Sequence, residues 1–280
     1  MIEAADLGPG HVVSSHFSLG HVAFDDRMAA VGAAGFDGVG LLHRDYVHQT
    51  RELGREPAEL IDVAARHGLR IVEIEATRGW APGSTAEMQA LGETCIEMAI
   101  EFGARHLTAV AAFDATPSEA AEAFGALCDR VAEHDVMVGL EPIPIQAAHD
   151  IETAREVVER AGRNNGGLCV DSWHLERGRW DWSQLEQLPP ELITSVQIND
   201  GTLEPEHDDY IEDCLWNRRP CGDGEFDLGR FVRTLDEIGS TSPLCVEVIS
   251  RELQQNDASE VADMLAATTR RTMASARNEV

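Results

Sequence analysis

The chain contains no lysine: all 22 of its basic residues are arginine. Three chemistries fall with that absence. Schiff-base aldolases and pyridoxal-phosphate enzymes need a lysine amine, and a P-loop needs its phosphate-reaching lysine. Anions must be met here by Arg, His or backbone N–H groups. Positive charge of any kind is scarce, since 50 acidic residues against 22 basic ones give a net charge of −28. Such a surface repels a nucleic-acid backbone and an anionic membrane, so neither is an expected partner. Its first consequence is solubility; a high-salt habitat is a lesser reading. Cys95, Cys128, Cys169, Cys214, Cys221 and Cys245 form no CxxC pair. A structural zinc site or dithiol motif is therefore not expected, and the thiols read as small apolar side chains. The opening Met1-Ile2-Glu3-Ala4-Ala5-Asp6 has neither the basic nor the apolar region of a signal peptide. No run approaches the roughly 20 apolar residues of a membrane span. A cytoplasmic, reducing location is the expectation.

What is present is alternation. Short apolar runs predict strands at Val12–Phe17, Asp37–Leu42, Leu69–Glu75, Arg105–Ala112, Val136–Glu141, Gly167–Asp171, Ile193–Ile198 and Leu244–Val248. Segments of helical period separate them: Asp25–Ala34, Pro57–His67, Thr85–Phe102, Pro117–His134, Ile151–Ala161, Ser183–Gln187, Leu228–Ile238 and Ser259–Ala276. Gly35, Gly68, Gly103 and Gly162 stand where helix C-caps belong, and Thr116 stands as an N-cap. Eight strand–helix units in strict order argue for a parallel sheet covered by helices. The near-continuous apolar strands suit burial on both faces. A doubly wound open sheet competes, but eight similar units favour closure into an α/β (β/α)8 TIM barrel. Barrels of this kind run to about 250 residues, so one domain over residues 1–280 is expected. The long irregular connection Thr202–Arg219 reads as a lid or substrate loop.

In such barrels the chemistry sits at the C-terminal ends of the strands. Strands five to eight end in Glu141, Asp171, Gln197 and Glu247. Period two puts Cys245 and Glu247 on the inward face of strand eight, opposite Leu244, Val246 and Val248. Glu141, Asp171 and Gln197 fit the same phase. Any one of the four, taken alone, is as readily a strand-end residue capping a neighbouring helix. Their coincidence at four consecutive strand ends points elsewhere. Buried carboxylates carry a heavy desolvation cost unless paired or metal-bound. Three carboxylates and an amide oxygen form a hard oxygen set suited to Mn²⁺ or Mg²⁺, with Co²⁺ admissible and zinc less suited.

The motifs Leu140-Glu141-Pro142, Asp171-Ser172-Trp173-His174, Val196-Gln197-Ile198-Asn199-Asp200, Gly222-Asp223-Gly224-Glu225-Phe226-Asp227 and Val246-Glu247 run in this order. In them the chain resembles the xylose-isomerase-like barrel superfamily over essentially its whole length. That superfamily includes sugar-phosphate isomerases and epimerases, ketose 3-epimerases, inosose dehydratase and 3-dehydroshikimate dehydratase. The resemblance implies that Glu141, Asp171, Gln197 and Glu247 bind the metal and that His174 contacts a substrate oxygen. It implies that Arg218 or Arg219, before the Gly-x-Gly loop, clamps substrate. It also gives Glu141 and Glu247 the proton transfers on the two faces of the substrate. The epimerases usually carry His where this chain has Gln197. A Gln amide can bind the metal but cannot act as a base. The Glu-Asp-Gln-Glu set is similar to that of the 3-dehydroshikimate dehydratases. Their Gln-Pro-Phe-Arg-like stretch after strand three is replaced here by Glu75-Ala76-Thr77-Arg78-Gly79-Trp80, which shares only the Arg.

Further candidates for the pocket are His16 and His43, near the ends of strands one and two, with Arg78 and Trp80 after strand three. Each His is as readily a hydrogen-bonded structural residue. Glu73 and Glu75 share one face, and one of them is placed to pair with Arg78. Trp80, Trp173 and Trp216 are ring-stacking candidates, although core packing is the commoner role. His67, His134 and His149 read as surface residues, and Asn199 and Asp200 as groups that orient the metal ligands.

The expected work is proton transfer next to a carbonyl in a small polyhydroxylated substrate. Returning the proton elsewhere gives isomerisation or epimerisation, the favoured reading; expelling a β-hydroxyl gives dehydration. A non-catalytic binding protein is the alternative of another class. An endonuclease IV-like phosphodiesterase needs a His-rich metal cluster and a basic face, and the chain has neither. A homo-oligomer is compatible with the resemblance.

Overall fold

The computed structural model describes residues 4–110 and 115–278. In chain order its elements are β1 (Val12–Ser14), α1 (His16–Leu19), α2 (Phe24–Ala33), β2 (Gly38–Leu41), α3 (His43–Tyr46), α4 (Pro57–Arg66), β3 (Ile71–Thr77), α5 (Ala86–Phe102), β4 (His106–Val110) and α6 (Pro117–Val131). There follow β5 (Met137–Glu141), α7 (Ile151–Ala161), β6 (Gly166–Asp171), α8 (Ser172–Gly178), α9 (Trp182–Glu186), β7 (Ile193–Ile198), α10 (Tyr210–Trp216), α11 (Leu228–Ile238), β8 (Leu244–Val246) and α12 (Ala258–Asn278). The eight strands pair in sequence order, all parallel, and β8 closes on β1. The expected (β/α)8 barrel is the fold.

Local chemistry sets the element ends. Thr85 and Thr116 cap α5 and α6 by accepting from Met88 N and Glu119 N. Thr116 and Glu119 complete a capping box, which satisfies two otherwise orphan donors. The inner face of α11 buries Leu228, Phe231, Val232 and Leu235, at the spacing of one helical stripe. Such stripes meet the outward side chains of the strands, among them Leu41, Leu107, Val138, Leu168, Val196 and Val246, all fully buried.

Among the differences from the sequence reading, three bear on the site. β1 stops at Ser14, because the Ser15 side chain accepts from Phe17 N and starts α1 at His16. Glu247 lies one residue beyond β8, although its N–H still bonds Ile198 O. The stretch 202–219 is not irregular throughout: Asp209 caps α10 inside it. Of the strand expected over Arg105–Ala112, Ala111 and Ala112 lie outside the described residues. Among the described residues no helix is long and apolar enough to cross a membrane.

Candidate metal centre

Strand register brings the four strand-end residues to one level. Asp171 pairs with Gln197, and Gln197 pairs with Cys245. Glu247 is two residues past Cys245, an advance that matches the stagger of tilted barrel strands. Glu141 closes the row at the end of β5. All four side chains are buried.

Asp171 divides its oxygens between two tasks. Oδ1 accepts from Trp173 N at 2.9 Å, capping α8, and from Asn199 Nδ2 at 2.8 Å. Oδ2 takes no part in the cap. It lies 2.9 Å from Arg218 Nη1, which also reaches Glu247 Oε2 at 2.8 Å. Arg218 is itself buried and donates Nε–H to Cys214 O. Burial opposes its charge, but Asp171, Cys214 and Glu247 hold it firmly protonated. Burial pushes the Glu247 carboxyl well above the usual carboxylate range. Arg218 opposes that shift, and the neighbouring carboxylates of Asp171, Glu141 and Glu75 add to it.

His174 follows from α8: three residues after Asp171, it returns to the same side of the helix. Its Nε2 stands 3.2 Å from Glu141 Oε1 and 3.6 Å from Asp171 Oδ2. The potential ligand atoms of Glu141, Asp171 and His174 all lie within 4.8 Å of one another. Gln197 donates Nε2–H to Glu247 Oε1 at 3.4 Å, while its Oε1 is buried with no hydrogen-bond partner among the described residues. An orphaned buried acceptor costs about 1–3 kcal/mol. The formal balance at the strand ends is three carboxylates against one guanidinium, two negative charges in excess. A divalent cation would remove that excess and also satisfy Gln197 Oε1. The residues fit such an ion.

Below this layer the barrel interior is polar where barrels usually carry branched apolar residues. Glu73 accepts from Ser195 Oγ at 2.6 Å, and Glu75 accepts from Ser15 Oγ and His16 N, each at 2.8 Å. Both carboxyls are fully buried. Burial, with the Glu73 charge added to it, raises Glu75 to about 8. Gly40 makes room for it: a Cβ there would lie 1.7 Å from Glu75 Oε1. His106, lower still, is driven down to about 3 by burial and by Arg105.

The remaining sequence candidates scatter. His16 is fully buried, with Nδ1 2.9 Å from Asp45 Oδ2 and Nε2 2.9 Å from Arg44 Nη2. Both ring nitrogens are thus engaged in a cluster with Arg27, Asp45 and Arg44, and the expectation of a pocket-facing ring is corrected. Trp80 packs edge-on against Phe124 of α6 and donates Nε1–H to Val110 O, so it belongs to the layer outside the barrel. Arg78 is exposed, and Glu73 and Glu75 turn to serines instead of pairing with it. Arg219 pairs with Glu206 and is half-exposed, leaving Arg218 alone of the two at the site. His43 stays at the strand-end face with a buried Nδ1 that no described residue meets. Asn199 orients Asp171 as expected, whereas Asp200 anchors the Gly-x-Gly loop by accepting from Gly222 N and Phe226 N. Trp173 is core, with Arg177 stacked on its ring.

Sequence reasoning missed Ser15, whose hydroxyl bridges Glu75 and, at 3.5 Å, Glu247. It also missed Tyr210, Asp213 and Cys214 on α10. Their signal was available: Asp209 as a cap, followed by inward residues at i, i+3 and i+4.

Fold and site together define a (β/α)8 barrel with a buried, acidic, metal-compatible cluster at the ends of β5 to β8. A family model described as "Xylose isomerase-like TIM barrel" matches residues 28–268, and the chain belongs to that family. Among curated proteins it is 28% identical over 243 residues to a 3-dehydroshikimate dehydratase of Pseudomonas aeruginosa, covering 80% of this chain but only 36% of that protein. It is 26% identical over 193 residues to an inosose isomerase of Bacillus velezensis, covering 66% of each. The chain thus spans about a third of the first relative's length and about two thirds of the second's. A crystal structure of the IolI protein with a bound zinc atom superposes with a TM-score of 0.83 at 19% identity, covering 95% of this chain and 98% of that one. The curated relatives are enzymes of one superfamily, and the donor set of the strand ends is one that a divalent metal would fit.

Proposed function

We propose that the protein is a divalent-metal-dependent enzyme that moves a proton next to a carbonyl in a small polyhydroxylated substrate, an isomerase or epimerase. One observation carries this reading: four buried oxygen-bearing side chains on consecutive strand ends, with Gln197 Oε1 left unpartnered. Glu141, Asp171, Gln197 and Glu247 are the residues that would hold the ion. When bound, the ion supplies Lewis-acid polarisation of substrate carbonyl and hydroxyl oxygens. The hard oxygen set favours Mn²⁺ or Mg²⁺, with Co²⁺ admissible.

The chain's own residues do the rest. Glu247 takes the proton at the carbon beside the carbonyl, from the side where the Ser15 hydroxyl and Arg218 border its carboxylate. Glu141 sits on the other side of the row and serves the opposite face. His174 Nε2, 3.2 Å from Glu141, donates to the substrate oxygen on which charge builds. Arg218 compensates Asp171 and Glu247 and so keeps the row of acids in place when substrate enters.

Dehydration of a cyclic keto-polyol is the second reading. It begins with the same proton abstraction. Gln197 in place of the epimerases' usual His favours it, as does the similarity to the Pseudomonas dehydratase. Incubation in D₂O with Mn²⁺ and a panel of ketoses, inososes and 3-dehydroshikimate tests both, read by ¹H NMR. Exchange of the α-proton is expected for at least one compound. It should fall about 100- to 10,000-fold in Glu247→Gln. Product with the same formula supports isomerisation or epimerisation, and a product short of one water supports the lyase. A metal-loaded protein that exchanges no proton in any of them would sink the proposal.

A further inference from the structure

α10 contacts His174 and Arg218 of the candidate site and Arg177, which stacks on the Trp173 ring. Tyr210 Oη lies 2.5 Å from His174 Nδ1. Asp213 Oδ2 accepts from Arg177 Nε at 2.7 Å. Cys214 accepts from Arg218 twice, through its carbonyl oxygen at 3.0 Å and its Sγ at 3.2 Å. Positions 210, 213 and 214 form one stripe of a helix. A connection that reads from sequence as a lid or substrate loop is thus tied to the site through Tyr210 and Cys214, and to Arg177 through Asp213.

We infer that α10 is a positioning element, and that its Tyr210 fixes His174 as the tautomer with the proton on Nε2. Nε2 faces two carboxylate oxygens, Glu141 Oε1 and Asp171 Oδ2, at 3.2 and 3.6 Å. Acceptors on that side call for a hydrogen on Nε2. Neutral imidazole carries one ring proton, so Nδ1 is then left as an acceptor. Tyr210 supplies the matching donor. Its half-buried phenol makes its one hydrogen bond among the described residues to Nδ1. Burial, with nearby Cys214, Asp171 and Glu141, raises the phenol's pKa, so the hydroxyl keeps its proton to give. The two rings stack, 6.1 Å between centroids and 23° between planes, which also stops the imidazole from flipping. The bare nitrogen is thereby occupied, and the N–H is held toward Glu141 and Asp171.

Tyr210 touches none of the reacting atoms in this scheme. It acts through His174, as groups behind a functional imidazole commonly do. The inference deepens the proposed proton-transfer function, where His174 must donate to the substrate oxygen, and so rests on that reading for its consequence. Its geometry does not depend on any substrate.

Long-range ¹H–¹⁵N correlation spectra of uniformly labelled protein, without substrate, test it directly, with His174 assigned by comparison with His174→Gln. The wild type is expected to show a pyrrole-like Nε2 and a pyridine-like Nδ1 for His174, and Tyr210→Phe to show a mixed or reversed pattern. A wild-type spectrum with the proton on Nδ1 overturns the inference even if the variant does not fold. So does an unchanged pattern in a folded Tyr210→Phe protein. In the D₂O exchange assay Tyr210→Phe should lower kcat about 10- to 100-fold with KM little changed. If no compound exchanges while the tautomer is as stated, the proposed function fails and the role of Tyr210 stands.

Discussion

Glu75 has no exposed atom, and its two oxygens accept from His16 N and Ser15 Oγ. Burial raises it from 4.5 to about 8. Between those values the native state holds a proton that the unfolded state has released. Stability therefore falls as pH rises through this window, by up to about 1.4 kcal/mol per pH unit. A glutamine amide reproduces the protonated acid, accepting from His16 N and donating to Ser15 Oγ. Urea denaturation of Glu75→Gln beside wild type should show a gap that widens in favour of the variant from pH 5 to pH 8. A gap that does not change with pH would mean that Glu75 is ionised throughout. The same kind of accounting bears on Gln197: its Oε1 is unpartnered at a place where a cation's ligand is expected, whereas Asp171 spends one oxygen on Trp173 N and Asn199 and the other on Arg218.

At the scale of elements, α10 stands out because its buried residues are an acid and a thiol, Asp213 and Cys214. Its anchor is the buried pair of Asp213 and Arg177, both almost fully enclosed. Removing the acid leaves a buried guanidinium whose remaining contacts are Thr202 O and the rings of Trp173 and Phe226. Asp213→Ala should cost about 3 kcal/mol by chemical denaturation and speed amide exchange within residues 202–217. A change within about 0.5 kcal/mol would mark the pair as dispensable. The eight strands and the major helices were legible because each carries its own signal, an apolar run or a capped apolar stripe. α7 and α11 fall where the sequence places them, Ile151–Ala161 and Leu228–Ile238. α10 was hidden because Asp208, Asp209, Glu212 and Asp213 read as a solvated acidic loop, yet Asp213 is buried. His16 and Trp80 were misplaced for a related reason. Period two holds only while the strand lasts. β1 gives way to a capped helix at Ser15, and Ala76, at φ 55°, breaks the register of β3 just before the segment that carries Trp80. The four strand-end oxygens were readable because parallel register and barrel topology make strand ends converge regardless of such details.

Across the whole molecule, charge is the governing quantity. The chain carries a net −28, and its 22 arginines are largely committed to local carboxylates. Five carboxyls, Glu73, Glu75, Glu141, Asp171 and Glu247, are nevertheless buried in and above the barrel, with Arg218 as the cation that touches two of them. A divalent ion at the strand ends would relieve both the excess charge and the orphaned amide. It should also stabilise the fold by about 2.7 kcal/mol at a hundred times its Kd. Metal content of the purified protein, by inductively coupled plasma mass spectrometry beside Asp171→Ala, tests this most directly. The expected result is about one Mn²⁺, Mg²⁺ or Co²⁺ per wild-type chain, after Mn²⁺ loading if purification strips it, and loss of that ion in the variant. A wild type that holds no metal even after loading, or an Asp171→Ala protein that retains it, would contradict a metal centre built from these four strand ends.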